Sequence, residues 1–259
     1  MSVCTGTPVD LSVIVKIEKL FAQAKDSGAT IHERESFERK ALALMAKHRL
    51  EMAEIGGHLA ADDKLDDYEL DVTLRVGGNA RMIINIIDVI VAAFDSKLYW
   101  RDTSIARGGG WIKGGREHRL HVIGWKSDFD LINVLASRIV EHVAFELAMV
   151  KGSDAAETRS DRRGFLYGYR QTLRARCEEV FGEAIDELPD ESRHTMEIVL
   201  VDRKKQVNEA FSKLRLRSAG ALKGGYSDRG VAKGSDAATR ADLGTSRNTL
   251  SGPRKELCS

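Results

Sequence analysis

Between Arg101 and Lys126 the chain sets Arg101, Arg107, Lys113, Arg116, Arg119 and Lys126 against only Asp102 and Glu117. The centre of this stretch is glycine-rich, with Trp111 inside it. Glycine lets a backbone approach a ligand closely, an indole stacks on a base, and cations meet phosphates. Arg107, Trp111, Lys113, Arg116 and Arg119 are therefore candidate nucleic-acid contacts. The competing reading is a hairpin tip whose charge serves solubility alone. A second pattern is Arg163, Tyr167, Arg170 and Arg174, at spacings of four, three and four. On a helix these share one side, again a candidate backbone-binding surface. Here the competing reading is an exposed face whose arginines pair with Glu178, Glu179 and Glu183.

Other chemistries find less support. The glycine-rich loop lacks the GxxxxGK[ST] spacing of a phosphate loop, and no GxGxxG leads from a strand into a helix. There is no HExxH, no paired CxxC and no GxSxG. His118 and His121 stand three apart at a strand start, which sends them to opposite faces and disfavours chelation. His142 and Cys177 fall on apolar helix faces and read as packing residues. Asp128 and Asp130 could form a carboxylate pair, but helix capping explains them more simply. No metal or cofactor is expected, and an enzyme is the less favoured reading.

These residues must be positioned by a chain of 259 residues, 42% hydrophobic, with net charge +1. That supports a buried core and gives no global pull toward polyanions. The charge is uneven, however. From Asp202 to Ser259 there are 13 Lys and Arg against 6 Asp and Glu, whereas residues 1–67 carry 9 against 12. The basic end suits a polyanionic partner or a solvated tail. Cys4, Cys177 and Cys258 are scattered, which fits a reducing cytosol. No secretory signal is visible, and the apolar run MIINIIDVIVAAF is too short to span a membrane.

The clearest element pattern lies in residues 10–57. Ile14, Ile17, Phe21 and Ala24 recur at helical spacing, and Ser27-Gly28 makes a stop. Thr30 to Glu33 forms a capping box, and Phe37, Ala41, Leu44 and Met45 form a second stripe. Tyr68, Leu70, Val72, Leu74 and Val76 then alternate as a half-buried strand. Gly77-Gly78 turns the chain, and Asn79 is placed to cap an apolar helix. Lys97–Arg101 and Arg119–Trp125 read as two further strands, giving a small antiparallel sheet with helices on one face. Ser127 and Asp128 start another helix.

A long helix is expected over about 159–181, capped from Asp154-Ala-Ala-Glu157, with Leu166, Tyr169, Leu173, Cys177 and Val180 inward. Gly164 and Gly168 would let another helix approach closely. Met196–Val201 reads as a strand or as a helix start, and 202–216 as helical with Val207, Ala210, Phe211 and Leu214 inward. Lys233-Gly-Ser-Asp-Ala-Ala238 repeats residues 151–156, either as a shared cap-like opening or by chance. Residues 245–259 read as disordered.

Lys16-Ile17, Leu20, Ala24, His32-Glu33, Ala41, Leu44-Met45-Ala46-Lys47-His48 and Leu50 resemble a bacterial and phage domain-of-unknown-function family, number twenty-seven eighty-six. Arg49 stands where that pattern has glycine. The run His121–Asp128 and the helix after it look like the partner region that often accompanies the domain. The resemblance implies no catalytic residue. The expected fold is α+β, with a helical hairpin over 10–57, a mixed α+β domain over 67–217 and a basic, partly disordered tail over 218–259. The expected function is that of a phage or mobile-element accessory protein in the bacterial cytoplasm, binding DNA or RNA through backbone phosphates. The alternatives are a module directed at a host protein, through the hairpin, and an uncharacterised enzyme. No membrane partner is expected.

Overall fold

The alternation of Tyr68, Leu70, Val72 and Leu74 belongs to a strand, β1, spanning Leu65–Arg75. The computed structural model describes Lys16, Lys40 and residues 43–50, 63–104, 116–220 and 224–240. Within them β1, β2 (Lys97–Ser104) and β3 (Arg116–Trp125) form an antiparallel sheet in the order β1-β3-β2. Tyr68 and Leu98 both stand opposite Val122, which fixes which side chains share a face. The register shifts between Glu69 and Thr73, a bulge. Asn133 fastens that bulge, accepting from the Asp71 amide at 3.0 Å and donating to its carboxylate at 2.6 Å.

Helices α1 (Ala80–Ala93), α2 (Lys126–Met149), α3 (Ala155–Asp186), α4 (Asp190–Ser212) and α5 (Asp228–Arg240) complete the described fold, which is α+β as expected. The inner face of the sheet, Leu70, Val72, Leu120 and Val122, joins one core with Ile84, Ile87 and Ile90 of α1 and Leu131, Leu135 and Ile139 of α2. α3 adds Phe165, Leu166, Tyr169, Leu173, Cys177 and Val180, the inward face expected of it. His142 is buried there with its Nδ1 3.1 Å from the Tyr169 hydroxyl; burial, with Arg240 and Arg176 nearby, lowers its pKa to about 4. None of the described helices is long and apolar enough to cross a membrane. The expected N-terminal hairpin lies outside the described residues, apart from Lys16, Lys40 and 43–50, which are helical.

Several local expectations are corrected. Helices cover both faces of the sheet, not one: Val207, Ala210, Phe211 and Leu214 of α4 pack against Tyr99 and Ile123 on the outer face. Met196–Val201, open between strand and helix start in the sequence, lies inside α4. Asn79 holds the N-cap position of α1 without a side-chain capping bond. Asp154 does cap α3, accepting from the amides of Ala156 and Glu157 at 2.7 and 2.8 Å. The hexapeptide repeat adopts two structures. At 151–156 it is a loop leading into a cap, whereas at 233–238 it lies inside α5, so the identity marks no shared opening.

α5 lies within the stretch read as a basic tail, yet it packs along α3 backbone to backbone. A Cβ on Gly164 or Gly168 would collide with Ser227 or Val231, and one on Gly230 or Gly234 with the carbonyls of Asp161 or Phe165. Polar bonds flank this contact. Ser227 Oγ donates to Asp161 at 2.5 Å, Arg229 Nε donates to the same carboxylate at 3.1 Å, and Thr172 and Ser235 hydroxyls meet at 2.6 Å.

A buried ionic cluster holds segment 43–50 to this body. Arg49 donates to the Ala93 carbonyl at 3.0 Å and to Asp95 at 2.6 Å, and its Nε faces Asp128 Oδ1 at 3.6 Å. Its guanidinium sits 5.7 and 5.8 Å from the rings of Phe94 and Phe181. Arg203 reaches Asp63 at 3.0 Å and Asp128 at 3.4 Å, and lies 4.4 Å over the Trp125 ring. Asp63 also accepts from the Ser127 amide and hydroxyl, each at 3.0 Å. Lys204 completes the cluster on Asp95 at 2.9 Å. Burial raises the Asp128 pKa against the pull of Arg49 and Arg203. Burial also acts on Asp95, but Arg49 and Lys204 outweigh it and hold that carboxyl below its ordinary range. Asp128 therefore neither caps α2 nor pairs with Asp130, which instead takes Lys126.

Removing one partner of a buried ion pair strands the other without water. Arg49→Met should accordingly cost about 3–5 kcal/mol in a urea titration, with part of the loss returned by adding Asp128→Asn; an unchanged midpoint would contradict the cluster. Gly234→Ala should force α3 and α5 apart and cost about 1–3 kcal/mol. Gly182→Ala, in open space on α3, should be neutral or gain about 0.5–1 kcal/mol. Equal melting temperatures for these two variants would show that the helices do not meet at Gly234.

Candidate nucleic-acid interface

Two cationic groups were expected, and the fold treats them differently. Of the loop group, Arg107, Trp111 and Lys113 lie outside the described residues. Arg116 and Arg119 stand on β3, the central strand, where successive side chains alternate between faces. Arg116 reaches Asp102 at 2.9 Å, and Arg119 reaches Glu69 at 3.1 Å and Glu117 at 3.2 Å. Their neighbours are matched in the same way. Arg101 lies 3.7 Å from Asp67, and Lys126 pairs with Asp130. Every described cation between 101 and 126 thus has a carboxylate partner. These pairs are partly exposed and weak, but they cancel much of the local field.

The two histidines of β3 diverge as their spacing predicts. His118 Nδ1 sits 2.7 Å from Asp102, and His121 Nδ1 3.2 Å from Asp67 on the other face. His121 also stacks with Tyr99, ring centroids 5.0 Å apart. Tyr99 donates to Asp67 and accepts from Arg101 at 2.9 Å; burial, then Asp67, raises its pKa to about 12.

The second group lies on α3, whose inward face is fixed by Leu166, Tyr169 and Leu173 and whose flank is fixed by α5. What remains is a stripe containing Arg163, Tyr167, Arg170 and Arg174. Arg163 lays its guanidinium against Gly224, where the backbone has φ +118° and a side chain would meet it. Tyr167 accepts from Gln171 at 3.1 Å and stacks on Tyr226, with centroids 4.7 Å apart and rings 12° from parallel. Arg170 donates to the Asn85 carbonyl at 3.2 Å. Arg174 is exposed and borders a cleft of about 220 Å³ lined by Val89, Ala93, Cys177, Glu178 and Phe181. Burial of the Cys177 thiol raises its pKa to about 12, so it stays protonated and serves as packing.

On α1, Arg81 donates to the Gly220 carbonyl. Among the described residues Arg81, Arg163, Arg170 and Arg174 form no ion pair with any carboxylate; the pairing with Glu178, Glu179 and Glu183 does not occur. Asp88 feels the charge of two of them. Burial raises its pKa against the opposing influence of Arg170, Lys97 and Arg174. A carbonyl partner, as Arg170 and Arg81 have, orients a guanidinium without cancelling its charge.

Of the two described members of the loop group, Arg119 shares the outer face of the sheet with Glu69 and His121, and Arg116 the opposite face with His118, whereas α3 is reached from the inner face across α1. Sequence reasoning missed Arg81 and Tyr226. Arg81 opens an apolar helix, and Tyr226 follows Gly224-Gly225 with no periodicity to place it. No curated protein matches the chain, and no solved structure does. The model of a family described as Protein of unknown function (DUF2786) matches residues 12–52, a stretch that includes Arg49.

Proposed function

We propose that the protein binds nucleic acid through phosphate contacts to Arg163, Arg170 and Arg174, with Arg81 beside them. The observation that supports this is that, among the described residues, none of these four guanidinia has a carboxylate within ion-pair distance, Asp88 acting on Arg170 and Arg174 only from farther away, whereas every described cation between 101 and 126 has one. Guanidinium forks suit phosphate oxygens, and helix spacing sets them in a line. From Arg163 to Arg174 the helix rises about 16 Å, enough for a few phosphates. Arg116 and Arg119 contribute only by giving up present partners. The resemblance of the N-terminal segment implies the setting, an accessory protein of a phage or mobile element acting in the bacterial cytoplasm. The host-protein reading rests on the hairpin, outside the described residues, and draws no support from them.

Fluorescence anisotropy of a labelled oligonucleotide at several salt concentrations tests the proposal. With three or four phosphates engaged, log K should fall with log salt at a slope of about −2 to −3. Combining Arg163→Ala, Arg170→Ala and Arg174→Ala should weaken binding at least about tenfold and flatten that slope. Arg116→Ala with Arg119→Ala should change it little. Absence of binding at about 50 mM salt, or equal loss in both sets of variants, would remove the reading.

A further inference from the structure

The geometry points to a single-stranded ligand, with Tyr226 as the platform on which one of its bases stacks. This rests on the nucleic-acid reading of the α3 surface and goes beyond it in naming both the strand state and a residue outside the arginine row.

Tyr226 is a large aromatic residue left 49% exposed. Its ring lies parallel to that of Tyr167, which is half-buried, so one ring backs the other. The support is fixed on either side. Gly224 is seated against Arg163, the Ser227 amide donates to the Ser160 carbonyl at 3.4 Å, and Ser227 Oγ is bonded to Asp161. α5 begins at Asp228, locked onto α3 by Gly230 and Gly234. An aromatic face held in place before binding needs little further ordering. Beside it the arginines run along α3 to the cleft next to Arg174, whose apolar lining, Val89, Ala93 and Phe181, suits a second unstacked base.

Stacking faces next to a cationic track are how proteins hold unpaired strands, and every base has a face to offer. A duplex keeps its base faces stacked internally and gives Tyr226 nothing to cover. Nor can α3 enter a major groove about 12 Å wide, because α1 and α5 pack along its sides and leave only a stripe exposed. The run from Arg163 to Arg174, about 16 Å, would accommodate a few nucleotides of an extended strand.

The test uses the full chain, freed of co-purified nucleic acid, with a labelled twelve-nucleotide strand as DNA and as RNA, and the same DNA sequence as duplex. At least one single strand should bind about tenfold more tightly than the duplex. Tyr226→Leu should weaken single-strand binding about 5- to 100-fold and leave duplex binding unchanged, while Tyr226→Phe keeps the wild-type affinity. Melting curves of both variants, expected to match the parent, separate loss of the platform from loss of the fold. Duplex binding as tight as single-strand binding, or a silent Tyr226→Leu, would overturn the single-strand assignment and leave the arginine contacts standing. Failure of every strand to bind would overturn the nucleic-acid reading itself.

Discussion

Four glycines bring the backbones of α3 and α5 into contact, and the placement of the candidate site depends on that approach. Each lacks a Cβ where the facing helix puts a carbonyl, amide or Cα. The consequence reaches beyond packing. α5 is polar in sequence, yet it is held along a defined track, and the residues leading into it are held with it. Gly224 then meets Arg163, and Tyr226 meets Tyr167. Separate the helices by one methyl group and both contacts at the arginine stripe lose their support.

Electrostatics divides the molecule into three regimes. On the sheet, cations and carboxylates alternate and cancel in water. In the buried cluster, Arg49 and Arg203 face Asp63, Asp95 and Asp128, with Lys204 on Asp95 at its exposed rim. Such a cluster adds little net stability over apolar packing but tolerates no unpaired member, so it specifies where segment 43–50 must sit. Around α3, Arg170 and Arg81 are aimed by carbonyls, and Asp88 acts on Arg170 and Arg174 from beyond ion-pair distance.

Much of the fold was legible because apolar periodicity reports burial by side chains. It placed β1, the apolar helix α1 and the inward face of α3, and the Asp154 cap followed from local hydrogen-bond chemistry. α5 escaped the same reasoning because it is buried through backbone and small residues, Gly230, Gly234, Ala237 and Ala238, on a helix with no apolar stripe of large side chains. The buried cluster escaped because its members lie up to 155 positions apart, from Arg49 to Lys204. The one local hint was an arginine where the resembled family has glycine. The arginine stripe was visible from spacing alone, but spacing could not say whether acids would neutralise it. That depended on tertiary contacts, such as the Asn85 carbonyl that α1 presents to Arg170.

Photo-crosslinking followed by peptide mapping addresses the central claim most directly. A short single strand carrying 5-iodouridine, irradiated with the full chain, should attach to peptides containing Tyr167 or Tyr226, with attachment suppressed by added salt. Attachment confined to peptides from the 101–126 stretch, or none at all, would contradict an α3 surface as the place where the strand is held.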